Sequence, residues 1–167
     1  MTSMCFDYVA RQKVGGTHLT YSYLNQMPSL ASEEYNDPTP WHLSQTLSAW
    51  LADRVVELAY TAWDMSAFAT QMGINGAPFR WVNDRRVVLR AELDAAYLHL
   101  YGLDRDEVEH VLTTFPIVRR KDEAGYGEFA PTDWCWRRTT RWPQPSPLGS
   151  TTTRRSRLRP VLARVIR

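Results

Sequence analysis

Along most of this chain apolar side chains recur every three or four residues, and that recurrence predicts helices punctuated by glycine, proline and acidic turns. The run from Asn83 to Tyr101 carries the pattern best. Leu89, Leu93, Ala96 and Leu100 share a face there, Arg90 and Asp94 stand at i,i+4 spacing, and Gly102 is positioned to end the helix. Asp104 followed by Glu107 predicts a capping pair for a further helix through Val108, Val111 and Leu112, which Pro116 stops.

The preceding half is more mixed. Residues 3 to 13 fit a short helix with Ser3 as N-cap and Gly15 or Gly16 as its end. Thr17 to Leu24 alternates Leu19, Tyr21 and Tyr23 with polar neighbours and predicts a strand that Pro28 closes. Ala31 to Pro40 is acidic and turn-rich, a connector into the next domain. Trp41 to Leu58 has helical spacing through Leu43, Leu47, Trp50, Leu51, Val55 and Leu58, with Asp53 as a candidate break. Ser66 to Met72 predicts a short helix before the turn Gly73 to Pro78. The class this implies is α+β, mainly α.

With 167 residues, 44% apolar and 12% aromatic, the chain can fill one core of ordinary size. No apolar run approaches the roughly 18 residues of a membrane span, and no charged segment leads into an apolar stretch at the N-terminus. A cytoplasmic protein without a membrane partner is the expectation. Cys5 and Cys135 lie far apart and are expected to be free thiols. His18, His42, His99 and His110 show no ligand spacing, so no metal site is expected.

Four stretches carry a family likeness. They are Phe6-Asp7-Tyr8-Val9-Ala10-Arg11-Gln12-Lys13-Val14-Gly15-Gly16-Thr17-His18-Leu19, then Arg54 to Asp64 with Ala91 to Tyr97, and Thr114-Phe115-Pro116-Ile117-Val118-Arg119-Arg120-Lys121-Asp122. Together they resemble the C-terminal region of type IIG restriction-modification proteins, which methylate adenine in DNA, and of the related methyltransferases of the BREX and DISARM phage-defence systems. The resemblance covers about residues 1 to 129 and is already under way at Met1-Thr2-Ser3-Met4-Cys5-Phe6, which implies a truncated piece of a longer enzyme. It implies three regions: 1–30 as the end of a target-recognition-like domain (short helix and strand), 31–129 as a helical C-terminal region, and 130–167 as a disordered basic tail.

The family's chemistry needs an Asn-Pro-Pro motif ending in Phe or Tyr to hold the target adenine, and a glycine-bearing loop after a strand to hold S-adenosylmethionine. This sequence has no Asn-Pro-Pro, and Gly15-Gly16 and Gly125-x-Gly127 lack the strand-then-helix context of a cofactor loop. No catalytic, cofactor-binding or metal residue is therefore expected, and no cofactor in this chain. S-adenosylmethionine belongs to the intact family enzyme.

The net charge of +2 conceals an asymmetry: residues 1–129 carry 11 Lys and Arg against 17 Asp and Glu, a balance of −6, whereas residues 130–167 carry 9 against 1, or +8. A basic tail on an acidic body suggests a nucleic-acid arm. A different origin is favoured by tryptophan's single codon. Displaced by two nucleotides from Ala130, GC-rich codons read approximately Arg-Thr-Asp-Arg-Leu-Val-Leu-Glu-Ala-Tyr-Asp-Ala-Leu, an amphipathic helix that resembles the family's own C-terminus. Trp134, Trp136 and Trp142 then reflect a shifted frame; the alternative is a low-complexity basic tail.

Candidate DNA contacts are Arg11, Gln12, Lys13, Thr17 and His18, because Lys and Arg neutralise phosphates and Gln can pair with an adenine edge. The alternative is a tight turn at Gly15-Gly16 with solvated cations beside it. Arg119, Arg120 and Lys121 form a second candidate, able to clamp a backbone or to be neutralised by Asp122, Glu123 and Glu128. Trp41, Trp50, Trp63 and Trp81 are expected in the core or on a packing surface, and Asp64 as a helix cap.

The resulting expectation is a non-catalytic C-terminal piece of an adenine-specific DNA methyltransferase or restriction-modification enzyme, contributing target recognition or scaffold contacts. Its alternative is a helical interaction module that docks on a separately encoded methyltransferase chain and does not touch DNA. A third outcome is a chain that does not fold by itself, its helices lacking their partners.

Overall fold

The computed structural model describes residues 3–16, 18–27 and 29–126, the side chains of residues 122, 125 and 126 excepted. Its class is α+β, mainly α. In chain order the elements are α1 (Met4–Lys13), α2 (Tyr21–Leu24), β1 (Pro38–Thr39), β2 (His42–Thr46), α3 (Leu47–Ala59), α4 (Ser66–Gln71), α5 (Asn83–Leu100), α6 (Arg105–Thr113) and α7 (Pro116–Tyr126). The chain divides into two compact units, one of Met1–Ser29 with Asp94–Arg167 and one of Leu30–Leu93. The tail from 130 onward, with Cys135 and its three tryptophans, lies outside the described residues, as do Thr17 and Pro28.

In the first unit the Oγ of Ser3 accepts from the N–H of Phe6, which starts α1 at the expected residue. Cys5, Tyr8 and Val9 form the buried face of α1 and join Leu98, Val111, Leu112 and Phe115 in one core. The Met4 N–H donates to Asp94 Oδ1 at 2.7 Å, and the Tyr8 hydroxyl and His110 Nε2 share a hydrogen bond at 3.4 Å. At the end of α5, Gly102 takes φ +71° while its N–H bonds the His99 carbonyl and the Leu103 N–H bonds that of Leu98. This Schellman closure satisfies two carbonyls that the helix leaves open. Asp104 and Glu107 then form a reciprocal capping box, with bonds of 3.0 and 2.9 Å. The α6 helix ends at Thr113, ahead of Pro116, which opens α7 as its first residue, where a missing N–H costs nothing.

Among the described residues 18–24, the strand expected at Thr17–Leu24 does not form. Tyr21–Leu24 makes one helical turn, closed by bonds from the N–H groups of Leu24 and Asn25 to the carbonyls of Thr20 and Tyr21. A lone strand needs a ladder partner, whereas a helical turn satisfies its groups locally, so the alternation of Leu19, Tyr21 and Tyr23 marks three exposed residues.

In the second unit the structure departs from the helix expected from Trp41. The strands β1 and β2 form a short antiparallel pair in which Pro38 faces Thr46 and Thr39 faces His42. The buried Thr39 hydroxyl donates to the His42 carbonyl at 2.7 Å and braces the turn. Thr46 caps α3 through Oγ1, which accepts from the Ala49 N–H, so the helix begins at Leu47. Leu43, counted as a helix position from its spacing, lies exposed in β2. Asp53 does not break α3; its Oδ2 accepts from Gln45 Nε2 at 2.9 Å.

Two clusters hold this unit. Trp41 packs edge-on against buried Trp50 with centroids 5.0 Å apart, and the Arg54 guanidinium lies 3.5 Å over the Trp50 ring. Arg54 also donates from Nε to Glu92 Oε2 at 2.8 Å and from Nη1 to the Trp50 carbonyl. Burial lowers the Arg54 pKa from its ordinary value, a cost that a buried, bonded carboxylate offsets. Elsewhere Val56, Tyr60 and Ala69 are covered by Phe68, Ile74 and Phe79. The Tyr60 hydroxyl donates to the Gly76 carbonyl at 2.9 Å, which pins the turn expected at Gly73–Pro78.

Candidate nucleic-acid interface

Both basic candidate segments lie in the first unit, at the C-terminal end of α1 and along α7. Burying Cys5, Tyr8 and Val9 turns Asp7 and Arg11 toward solvent, where they pair at i,i+4 with Nη2 and Oδ2 2.9 Å apart. Gln12 is exposed and Lys13 half-buried in the last turn, where a cation suits the carbonyl end of the helix dipole. His18 is exposed beyond the Gly15-Gly16 turn, and Thr17 lies outside the described residues.

The second segment rides on α7. Arg119 donates from Nε to Glu123 Oε1 at 2.8 Å, while Arg120 and Lys121 are exposed. Phe115 joins the segments. Its buried ring lies under the Arg11 guanidinium at 4.8 Å, and its carbonyl accepts from the Arg119 N–H at 3.1 Å. Val14 and Val118 pack against the same core. Arg11 and Phe115, more than a hundred positions apart in sequence, are thus in contact within one unit.

Not all of this charge is available to a ligand. Arg11 and Arg119 are neutralised by Asp7 and Glu123 in exposed pairs, whereas Lys13, Arg120 and Lys121 have no ion pair among the described residues. Three cations and a flanking Gln can hold phosphates by electrostatics and hydrogen bonds.

A second basic group lies in the other unit, where sequence reasoning placed no DNA-binding residue. Trp81 and Trp63, expected in the core or on a packing surface, are 60% and 68% exposed. Trp81 Nε1 donates to Asn83 Oδ1 at 2.8 Å, and the Arg86 guanidinium lies 3.6 Å from the indole centroid. Arg86 Nη1 in turn donates to the Leu58 carbonyl at 2.9 Å. Beside it Arg85 makes a two-bond fork to Glu57 at 2.7 and 2.8 Å, which lowers the Glu57 pKa from its ordinary value chiefly through that hydrogen bond. The signal in the sequence was an aromatic between Arg80 and Arg85-Arg86. Asp64, expected as a cap, lies inside a 3-10 turn over Trp63–Met65, and α4 has no side-chain cap.

Among the described residues no cluster of three or more His, Cys, Asp or Glu is arranged to hold a metal, and no helix is long and apolar enough to cross a membrane. Comparison with protein-family models, with curated proteins and with solved structures found no match.

Proposed function

We propose that this chain is a non-catalytic docking element of an adenine-specific DNA methyltransferase or restriction-modification enzyme, and that it holds the phosphate backbone of DNA. The resemblance of its segments to that family suggests the enzyme class, and the sequence carries neither the adenine-holding motif nor the cofactor loop. One observation carries the docking role: the Arg11 guanidinium lies over the ring of Phe115, the residue before α7, so the end of α1 meets the start of the helix that carries Arg120 and Lys121. DNA is the partner, and S-adenosylmethionine would bind elsewhere in the enzyme.

The test is the salt dependence of duplex binding by the full chain, followed by fluorescence anisotropy. Residues 130–167 attract phosphates through their own +8, so only a comparison with a variant isolates the patch. Combining Lys13→Glu, Arg120→Glu and Lys121→Glu lowers the slope of log K against log salt by about 0.9 for each phosphate the variant no longer neutralises. An unchanged slope and affinity would remove the patch from the interface.

A second reading, a module that docks on a separate methyltransferase chain, is favoured by exposed apolar side chains such as Leu43, Trp63 and Ile117. Tight binding to such a chain with no affinity for DNA would select it.

A further inference from the structure

Large aromatic side chains left in water forgo a burial that folding normally supplies, so an exposed indole held in a fixed pose calls for an account. Trp81 is held from two directions. Its Nε1–H is committed to Asn83 Oδ1, at the first residue of α5, and one face of the ring is covered by the Arg86 guanidinium. Arg86 is itself anchored to the Leu58 carbonyl, at the end of α3. With one face taken and the residue still 60% exposed, the other face of the indole is open to solvent.

The charge around it is mostly positive. Between residues 80 and 90 there are four arginines against one aspartate, Asp84. Arg85 is occupied by Glu57, while Arg80 and Arg90 are exposed and have no ion pair among the described residues. Arg86 and Arg90, four apart, lie on one side of α5. An open aromatic face flanked by exposed guanidinium groups is the combination that binds single strands: the ring stacks on a base, and the cations follow the phosphates.

We infer that Trp81 is a stacking platform for an unpaired base of single-stranded DNA, with Arg86 fixing the back of the ring and Arg80 and Arg90 contacting the flanking phosphates. The ligand class rests on the reading that the chain docks on DNA, but the site lies in the other unit and uses different residues. A cation behind the indole leaves the ring rigid, so little side-chain freedom is lost when a base arrives.

The test measures binding of the full chain to an oligothymidylate of about twelve nucleotides, a length within the range of single-strand sites, and to an abasic strand with the same number of phosphates. Trp81→Ala weakens the oligothymidylate complex about tenfold, the scale of one base stack, and leaves the abasic complex unchanged. Trp81→Phe restores most of the loss, because a smaller ring still stacks. Equal weakening on both strands, or weakening on neither, overturns the platform. The Lys13, Arg120 and Lys121 charge reversal separates the two proposals. If it has no effect on duplex or on either strand while the Trp81 difference persists, the phosphate-docking patch fails and the stacking site stands.

Discussion

The guanidinium carbon of Arg11 lies 4.8 Å from the centroid of the Phe115 ring, linking the last turn of α1 to the residue that precedes α7. Phe115 is buried and Arg11 exposed, so the two sides of this contact are unequal in energy. Removing the ring opens a cavity in the core; removing the guanidinium uncovers one face of an otherwise packed ring. Phe115→Ala is expected to cost about 3–5 kcal/mol, and Arg11→Ala about 0.5–1 kcal/mol, the scale of an exposed cation–π contact. Urea unfolding of both variants checks the ratio, and comparable losses would contradict this unequal division.

The reciprocal bonds between Asp104 and Glu107 start α6 without help from distant residues. Asp104→Ala strips the cap from the Glu107 N–H and is expected to cost about 1 kcal/mol. Asp104→Asn retains an acceptor oxygen and stays close to the parent. The measurement is a shift in urea midpoint at constant denaturant slope, since a local cap does not alter the surface exposed on unfolding.

Gly102 holds φ +71°, and a Cβ built there meets nothing within 4 Å. The whole penalty of a side chain is therefore in the backbone. Gly102→Ala is expected to cost about 1–2 kcal/mol, and Gly102→Asn less, because Asn visits the left-handed region more readily. Equal stability of the Ala variant and the parent would mean that the closure after α5 can be rebuilt with another geometry.

These last two features were legible in the sequence because each is written in adjacent residues. Ser3, the Asp104/Glu107 pair and Gly102 act within a turn of their own positions, so spacing alone finds them. The hairpin of β1 and β2 escaped because Leu43 happens to continue the helical spacing of Leu47 and Trp50, while Thr39, which braces the turn, gives no periodic signal. For the candidate interface, composition identified the cations Lys13, Arg120 and Lys121, but the contact of Arg11 with Phe115 that links the two segments is a tertiary fact. Trp81 was expected in the core or on a packing surface, and hydrophobicity alone says nothing of an indole held in place outside by Asn83 and Arg86.

The Glu57–Arg85 fork gives a pH dependence of definite sign. Its hydrogen bonds hold the Glu57 carboxyl below the ordinary value of 4.5. A carboxylate depressed in the folded state stabilises above its unfolded pKa, and that contribution disappears as pH falls through the folded value. Arg85 is shifted upward and stays charged throughout the acid range. Its side chain is 52% exposed, so solvent screening limits the pair to about 0.2–1 kcal/mol. The stability difference between the parent and Glu57→Gln should therefore be present near neutral pH and vanish well below pH 4.5. A difference that grows on acidification would invert the assignment.

Cys5 is expected to be chemically silent in the native protein. Its side chain is 1% exposed, and burial, reinforced by the nearby Asp94 carboxylate, pushes the thiol up to about 12. At pH 8 that leaves about one thiolate in ten thousand, and the thiolate is the nucleophile. A disulfide reagent must then wait for the core of α1 to open, so the rate reports local unfolding. In a Cys135→Ser background, with Cys5 as the remaining thiol, modification should be slow in buffer and complete within mixing time in concentrated guanidinium. Phe115→Ala, which loosens the same core, should speed the native reaction. Native labelling as fast as that of a free thiol would mean that α1 does not stay docked on the core it forms with Val111, Leu112 and Phe115.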